Sequence, residues 1–310
     1  VFPRYFELPE VVSGYDLGDF FWIIKPEGTT NLCTNPSFET NTTGWTAVGG
    51  SIARVATWQT RGVYCLEVTP GAGVNDGTFF GTFSTTTGQW YTLSLDFQGA
   101  GNRPYKIWFA TTGAALLGTE YKFKATGRKQ RIKVSWFETG GTTRRIYVTK
   151  DKHANVTPFQ IDAVQIENKD HATTYCDGDQ VGVVVGRTDF YWSGAPHASQ
   201  SVRSDQCGIG GRMYSFKELG FRILSILGLG LAGLQPRLLP LAKGGAFYQD
   251  TIITDRQFSI VGQVDGLNLS EVQRKRQALV ELLRPDTVTP TQPVSLHYIP
   301  TDNCGEQIGD

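Results

Sequence analysis

Tyr91-Thr-Leu-Ser-Leu-Asp-Phe97 places a large apolar side chain at every second position and a small or polar one between them. That period marks a β-strand with one face on a core and the other on solvent. Arg131-Ile-Lys-Val-Ser-Trp-Phe137 and Arg145-Ile-Tyr-Val148 repeat it. Glycine- and threonine-rich breaks separate such stretches, at Gly49-Gly50, Gly71-Ala-Gly73, Asn75-Asp-Gly77, Gly99-Ala-Gly101 and Gly140-Gly141. Short strands with regular turn signals predict a β-sandwich or jelly roll over residues 29–178.

Working outward, residues 1–28 carry Phe2, Tyr5, Phe6, Phe20, Phe21, Trp22, Ile23 and Ile24. They are too few for a domain and very apolar. Two readings stand: an arm packed on a neighbouring subunit, or a strand pair completing one of the domains. Residues 179–206 read as a connector rich in Gly, Ser and Asp. Residues 207–310 change character. Gln257–Val264 and Val294–Ile299 read as strands. Between them Ser270 and Gln273 are spaced as a capping box. Val272, Leu279, Leu282 and Leu283 share one helical face, and Arg284-Pro285 ends the helix. The expected class is mainly β: a jelly-roll β-sandwich plus a second β-rich α+β domain with one helix.

The 310 residues fit two domains of ordinary size, and 40% hydrophobic with 12% aromatic content is enough for real cores. The 29 basic and 29 acidic residues balance, so no global attraction to nucleic acid or an anionic membrane is expected. Leu219–Leu234 is apolar but contains Arg222 and four glycines. It reads as buried or interfacial strand, too short to span a membrane as a helix. The five cysteines, Cys33, Cys65, Cys176, Cys207 and Cys304, form no CxxC pair. Zinc is not expected, and free buried thiols are preferred over a Cys33–Cys176 disulfide.

Asn31-Leu-Cys-Thr-Asn35-Pro-Ser-Phe38-Glu39 with Gly44-Trp45, and Phe159-Gln-Ile-Asp162-Ala-Val-Gln-Ile-Glu167, resemble the opening and closing strands of carbohydrate-binding modules of the family 4/9 jelly-roll type. Ala172–Asp179 followed by Tyr191–Ser201 looks like the piece that follows such modules in phage tail proteins. Asp255–Gly262, the helix, Leu282–Asp286 and Pro293–Tyr298 resemble the ring-forming domain of siphophage distal tail proteins. The resemblance implies a structural subunit of a bacteriophage tail tip or baseplate, made in the host cytoplasm and carried on the virion. It implies a homo-oligomer, a hexameric ring between tail tube and tail hub, displaying a module for a host cell-surface glycan. The chain departs from that family in placing the sandwich before almost all of the ring-type domain. The alternative is a stand-alone or accessory carbohydrate-binding module, and a glycan-cleaving tail enzyme is the remaining reading.

Glu39 and Asp162 are the candidate metal ligands. The resembling modules often hold a structural Ca²⁺ at these positions, and carboxylates with backbone carbonyls are the hard oxygen ligands that ion requires. The competing reading is a pair of surface carboxylates bonded to loop amides. A sugar site needs exposed aromatic faces beside polar groups. Trp58, Tyr64, Trp90, Tyr105, Trp108 and Trp136 qualify by type, and Trp58 and Trp108 have polar neighbours close in sequence. Structural packing is nonetheless the favoured reading for them. Arg274, Lys275 and Arg276 form the one charge run, either a solvated helix face or an assembly contact with acidic groups. Catalysis has little support: no HExxH or GxSxG pattern occurs, and Asp177 and Asp179 read as solvated loop carboxylates. No enzyme is expected.

Overall fold

A computed structural model describes residues 21–298, less 142, 153–155, 182–187, 206, 208–209, 217–218, 228–233, 241–245, 254–258 and 285–294. Residues 1–20 of the expected arm, and Cys304, lie outside the described residues. The chain forms two compact units: Ile24–Met213 makes up most of one, and Tyr214–Pro285 most of the other.

The first unit is a jelly-roll β-sandwich. After β1 (Phe21–Pro26) and β2 (Thr29–Asn31), ten strands build two sheets: β3 (Trp45–Val48), β4 (Gly50–Val55), β5 (Cys65–Pro70), β6 (Gly77–Ser84), β7 (Trp90–Gln98), β8 (Pro104–Ala110), β9 (Leu116–Lys124), β10 (Gln130–Phe137), β11 (Thr143–Lys150) and β12 (Phe159–Glu167). One sheet has the order β10-β7-β12-β5-β4 and the other β3-β6-β11-β8-β9, with antiparallel pairing throughout. The apolar face read from Tyr91–Phe97 is realised, with Tyr91, Leu93, Leu95 and Phe97 buried, but the other face is not on solvent: Thr92, Ser94 and Asp96 are buried too, because β7 is an inner strand between β10 and β12. Phe97 meets Tyr105, Phe123 and Phe159 with ring centroids 4.8, 5.0 and 5.5 Å apart. Each such ring removes a large apolar area from water, so this cluster anchors the sandwich.

The opening motif is a packing device. Phe38 is fully buried and its ring lies 5.5 Å from Trp45, which lies 5.4 Å from Phe80. Gly44 turns the chain with φ +89°, and a Cβ there would come 3.1 Å from the Phe80 ring. Asn31 staples β2 to the closing strand: its Oδ1 accepts from Ile166 N at 3.0 Å, and its Nδ2 donates to Val164 O at 2.9 Å.

The segment 179–206, expected as a connector, is part of this unit. β13 (Phe190–Trp192) and β14 (Ser201–Arg203) pair antiparallel, and β14 pairs in turn with β2. Polar side chains of β12 hold the intervening chain. Glu167 is fully buried and accepts from Thr29 Oγ1 at 2.6 Å, Thr173 N at 2.9 Å and Thr173 Oγ1 at 2.6 Å. Cys33, Cys65, Cys176 and Cys207 are buried thiols that form no disulfide. Burial pushes Cys33, Cys65 and Cys176 up to about 12, so they are inert at neutral pH.

Before β2, Glu27 bonds to Lys169, and its Oε2 lies 3.0 Å from His171 Nε2. Burial alone would raise Glu27, but His171 and Lys169 outweigh it and hold the carboxyl down to about 2. Glu27 in turn raises His171 above its ordinary value. By linkage, the lowered carboxylate contributes stability above 4.5 that disappears as pH falls through about 2. The raised imidazole contributes fully below 6.5 and loses its part as pH rises through its folded value. The melting difference between the wild type and Glu27→Gln is therefore expected to peak between 4.5 and 6.5 and to shrink on either side. A difference that grows steadily into alkaline pH would contradict this clasp.

β15 (Gly211–Ser215) follows, and Gly211 lies against β1 so closely that a Cβ would stand 1.9 Å from Lys25 O. The second unit contains β16 (Phe221–Leu227) paired with β19 (Ser259–Val264), and β17 (Leu234–Pro240) paired with β18 (Ala246–Ile253). The helix α1 (Leu269–Leu282) follows, and β20 (Ser295–Tyr298) closes the described chain. Within the apolar stretch from Leu219, Phe221–Leu227 and Leu234 are strand, residues 228–233 lie outside the described residues, and no described helix is long and apolar enough to cross a membrane. α1 starts earlier than the sequence predicts. Asn268 is its N-cap, with Oδ1 accepting from Glu271 N at 2.9 Å, and Glu271 Oε2 accepts from Leu267 N at 2.8 Å. The cap is therefore Asn268, with Glu271 reaching back one residue further to Leu267, in place of Ser270 with Gln273, because Asn and Ser cap equally well and the geometry chooses between them.

Candidate functional site

β9 and β10 are edge strands of opposite sheets, and a groove of about 470 Å³ opens beside them. Phe109 and Trp136 are stacked in its lining, centroids 3.7 Å apart, with Leu117 and Val134 beside them. Trp90 and Phe137 pair across β7 and β10 at 5.4 Å and are 45% and 46% exposed. Tyr121 on β9 is 40% exposed. Local alternation explains the rim. Tyr91 and Trp136 stack on each other at 5.3 Å toward the core, so the next residue in each strand, Trp90 and Phe137, points away from it.

Two carboxylates stand among these rings. Glu120 is bonded to Lys106 Nζ at 2.5 Å, which holds it below its usual range, with Lys122 at 3.5 Å assisting. Glu138 is buried against Arg144. Burial would raise it, but the Arg144 hydrogen bonds and the Gly140 amide prevail and lower it. Both are anions at neutral pH, but Glu138 is buried and spends both oxygens on Arg144, Gly140 N and Thr85 Oγ1, so Glu120 alone presents an acceptor to the groove. The Trp136 indole N–H is buried with no hydrogen-bond partner. The arrangement therefore offers apolar ring faces beside a fixed carboxylate acceptor. That combination suits a ligand whose C–H faces stack and whose hydroxyls hydrogen-bond.

Of the sugar-site residues chosen from the sequence, neither belongs to this groove. Trp58 sits, half-buried, in the loop after β4, at the edge of the other end of its sheet. Trp108 lies mid-strand in β8, stacked on Tyr147 at 4.0 Å and 14°, with Tyr147 stacked on Phe79 at 5.0 Å. One indole face is covered, and packing accounts for it. The residues that sequence reasoning passed over are Glu120, Tyr121, Phe137 and Glu138. A signal for two of the rim aromatics was present: Trp90 and Phe137 are aromatic on the solvent phase of alternating strands.

Glu39 and Asp162 meet the same loop. Glu39 Oε1 accepts from Val63 N at 2.9 Å and Tyr64 N at 3.0 Å. Asp162 is fully buried. Its Oδ2 accepts from Thr60 N at 2.6 Å, Arg61 N at 2.9 Å and Thr60 Oγ1 at 3.0 Å, and its Oδ1 accepts from Ala163 N at 2.6 Å. Burial raises Asp162 to about 6 against these donors. N–H groups converge on the oxygens a cation needs, so these residues fit a loop clamp and do not fit a calcium ion.

Asp177 is buried and accepts from Tyr175 Oη at 2.9 Å. Asp179 accepts the Trp192 indole N–H at 2.8 Å and lies 2.9 Å from His197 Nε2. The pair is thus built into the loop packing, and Asp177 is not solvated. The basic run on α1 is split. Arg274 and Arg276 are exposed, while Lys275 bonds to Glu271 at 2.9 Å and Asp265 O at 2.8 Å. Successive helical residues point about 100° apart, so three in a row form no single patch.

No family model matches the sequence, and no curated protein does. Solved structures resemble part of it. The family 22 xylan-binding domain from Paenibacillus barcinonensis is 19% identical, over 47% of this chain and 97% of that one, with a TM-score of 0.34. A family 61 carbohydrate-binding module in complex with β-1,4-galactotriose is 15% identical, over 45% and 99%, with a TM-score of 0.37. The enzymatically active domain of tailspike protein 4 from bacteriophage CBA120 is 13% identical, over 44% and 21%, with a TM-score of 0.35. Each of these likenesses covers less than half of this chain.

Proposed function

We propose that the sandwich is a non-catalytic carbohydrate-binding module that holds a glycan in the groove beside β9 and β10. The carrying observation is the set of three exposed aromatics, Trp90, Tyr121 and Phe137, at a groove that also carries the ionised carboxylate of Glu120. Large exposed rings are costly to leave in water unless a ligand uses them. A sugar ring stacked on them supplies that contact, and its hydroxyls meet Glu120. Binding and orientation are the whole mechanism, with no bond made or broken.

Screening on a glycan array, followed by titration of the best oligosaccharide, tests this reading. Trp90→Ala and Tyr121→Ala are each expected to weaken binding by about tenfold or more, the equivalent of one lost stacking contact. Trp108→Ala is expected to leave affinity within about twofold, because the lost ring packs on Tyr147. An array with no bound glycan, or Trp90 and Tyr121 variants that bind unchanged, would overturn it.

For the second unit we infer an assembly role, and the tail-tip ring displaying the module remains our reading of it. Its support is the surface of α1, which buries no residue and leaves Leu269 72% and Leu283 49% exposed. A helix gains most of its stability from a covered apolar face. Light scattering across concentration tests it: a discrete oligomer is expected, and a strict monomer at all concentrations counts against it.

A further inference from the structure

The resemblance over residues 31–167 implies a calcium ion at Glu39 and Asp162, yet a different cation occupies the neighbouring oxygens. Arg54 leaves β4 and donates from Nε to Phe38 O at 2.9 Å and from Nη2 to Glu39 O at 2.7 Å. Those are the backbone carbonyls beside the Glu39 carboxylate, the hard ligands a metal would recruit. The guanidinium lies 3.3 Å from the Tyr64 ring centroid, a cation–π contact. Tyr64 belongs to the loop that Glu39 and Asp162 hold. Gly62, with φ +69°, lets that loop close: a Cβ there would stand 2.2 Å from Glu39 Oε1. The loop is thus tied by two carboxylates through its amides and by Arg54 through Tyr64. Arg54 meanwhile satisfies the carbonyls of the opening motif.

We propose that Arg54 is a built-in replacement for the structural calcium of the resembling modules, and that this sandwich folds and holds the 60–64 loop without a metal. A planar guanidinium suits the task because two N–H vectors reach two carbonyls at once while its face stacks on a ring. A calcium ion at the same place would need those carbonyls, and would meet the N–H groups that now point at the carboxylates.

Thermal melts of the full chain in excess EDTA and in excess calcium chloride, with calorimetric titration of calcium, provide the test. The wild type is expected to melt at the same temperature in both and to give no calcium heat. Arg54→Met is expected to melt about 4 °C or more lower, and Arg54→Lys to fall between, since an ammonium cannot reproduce the two-pronged geometry. A wild-type melting point that drops in EDTA and returns with calcium overturns the proposal. So does an Arg54→Met variant as stable as the wild type. Should that variant fail to fold, the wild-type calcium comparison and Arg54→Lys still decide it. Neither measurement involves a glycan, so the outcome is separate from that of the groove reading.

Discussion

Glu138→Ala is expected to be among the most damaging single changes in this protein, costing about 3–5 kcal/mol. Glu138 and Arg144 leave only 3% and 4% of their side chains exposed. They meet through two bonds, Nη2 to Oε1 at 2.5 Å and Nε to Oε2 at 2.7 Å. Arg144 also bonds to Gly140 O, and Glu138 accepts from Gly140 N at 2.9 Å and Thr85 Oγ1 at 3.2 Å. Removing the carboxylate leaves a buried guanidinium without its anion and undoes the turn between β10 and β11. Two charges taken out of water together cost much less than one alone, so replacing both should rescue. Glu138→Leu with Arg144→Met is expected to recover most of the loss in urea denaturation. If the single and double variants fall equally, the damage comes from the turn and not from the stranded charge.

Arg203→Met is expected to lower stability by a similar amount, about 3–5 kcal/mol. Arg203 is 1% exposed, in β14 of the segment that looks like a connector. Its Nε donates to Glu27 O at 2.8 Å, Nη1 to Thr174 O at 3.0 Å and Thr174 Oγ1 at 2.8 Å, and Nη2 to Thr173 Oγ1 at 2.8 Å. Thr173 passes the interaction on to the buried Glu167. Methionine fills the space and satisfies none of these acceptors. Glu167 then loses the positive charge that burial demands. The prediction has a spatial signature: amide exchange should accelerate at 173–176 and 201–203, with β7 and β8 unaffected by comparison. Uniform acceleration across the sandwich, or a variant as stable as the wild type, would show that Arg203 is not the tie between these segments.

Much of the fold was readable because short-range rules act within each strand. The period-two runs at 91–97, 131–137 and 145–148 became β7, β10 and β11, since alternation and burial of one face are the same fact seen twice. The Asn31–Trp45 and Phe159–Glu167 motifs were readable as the opening and closing of one sandwich. Element limits were less secure where two residues cap equally well, as Asn268 and Ser270 do. The segment 179–206 was misread because its Gly, Ser and Asp content looks like a linker. Its partners, Glu27 and β2, are far away in sequence, so local composition contains no trace of them. The carboxylates at 39 and 162 accept from amides of the same loop. What they hold there depends on the 60–64 loop and on Arg54, which no spacing rule connects.

By itself the sequence determined that this chain is mainly β and that a jelly roll precedes a second unit with strands and a helix. These follow from periodicity, which each strand carries along its own length. Tertiary structure alone decided which rings remain available to a ligand and which carboxylates are committed. Trp108 is spent on Tyr147, a partner on the adjacent strand, while Trp90, Tyr121 and Phe137 stand at the edges of two sheets that meet only on folding. Exposure is a property of what else arrives at a surface, and that depends on contacts between residues distant in the chain.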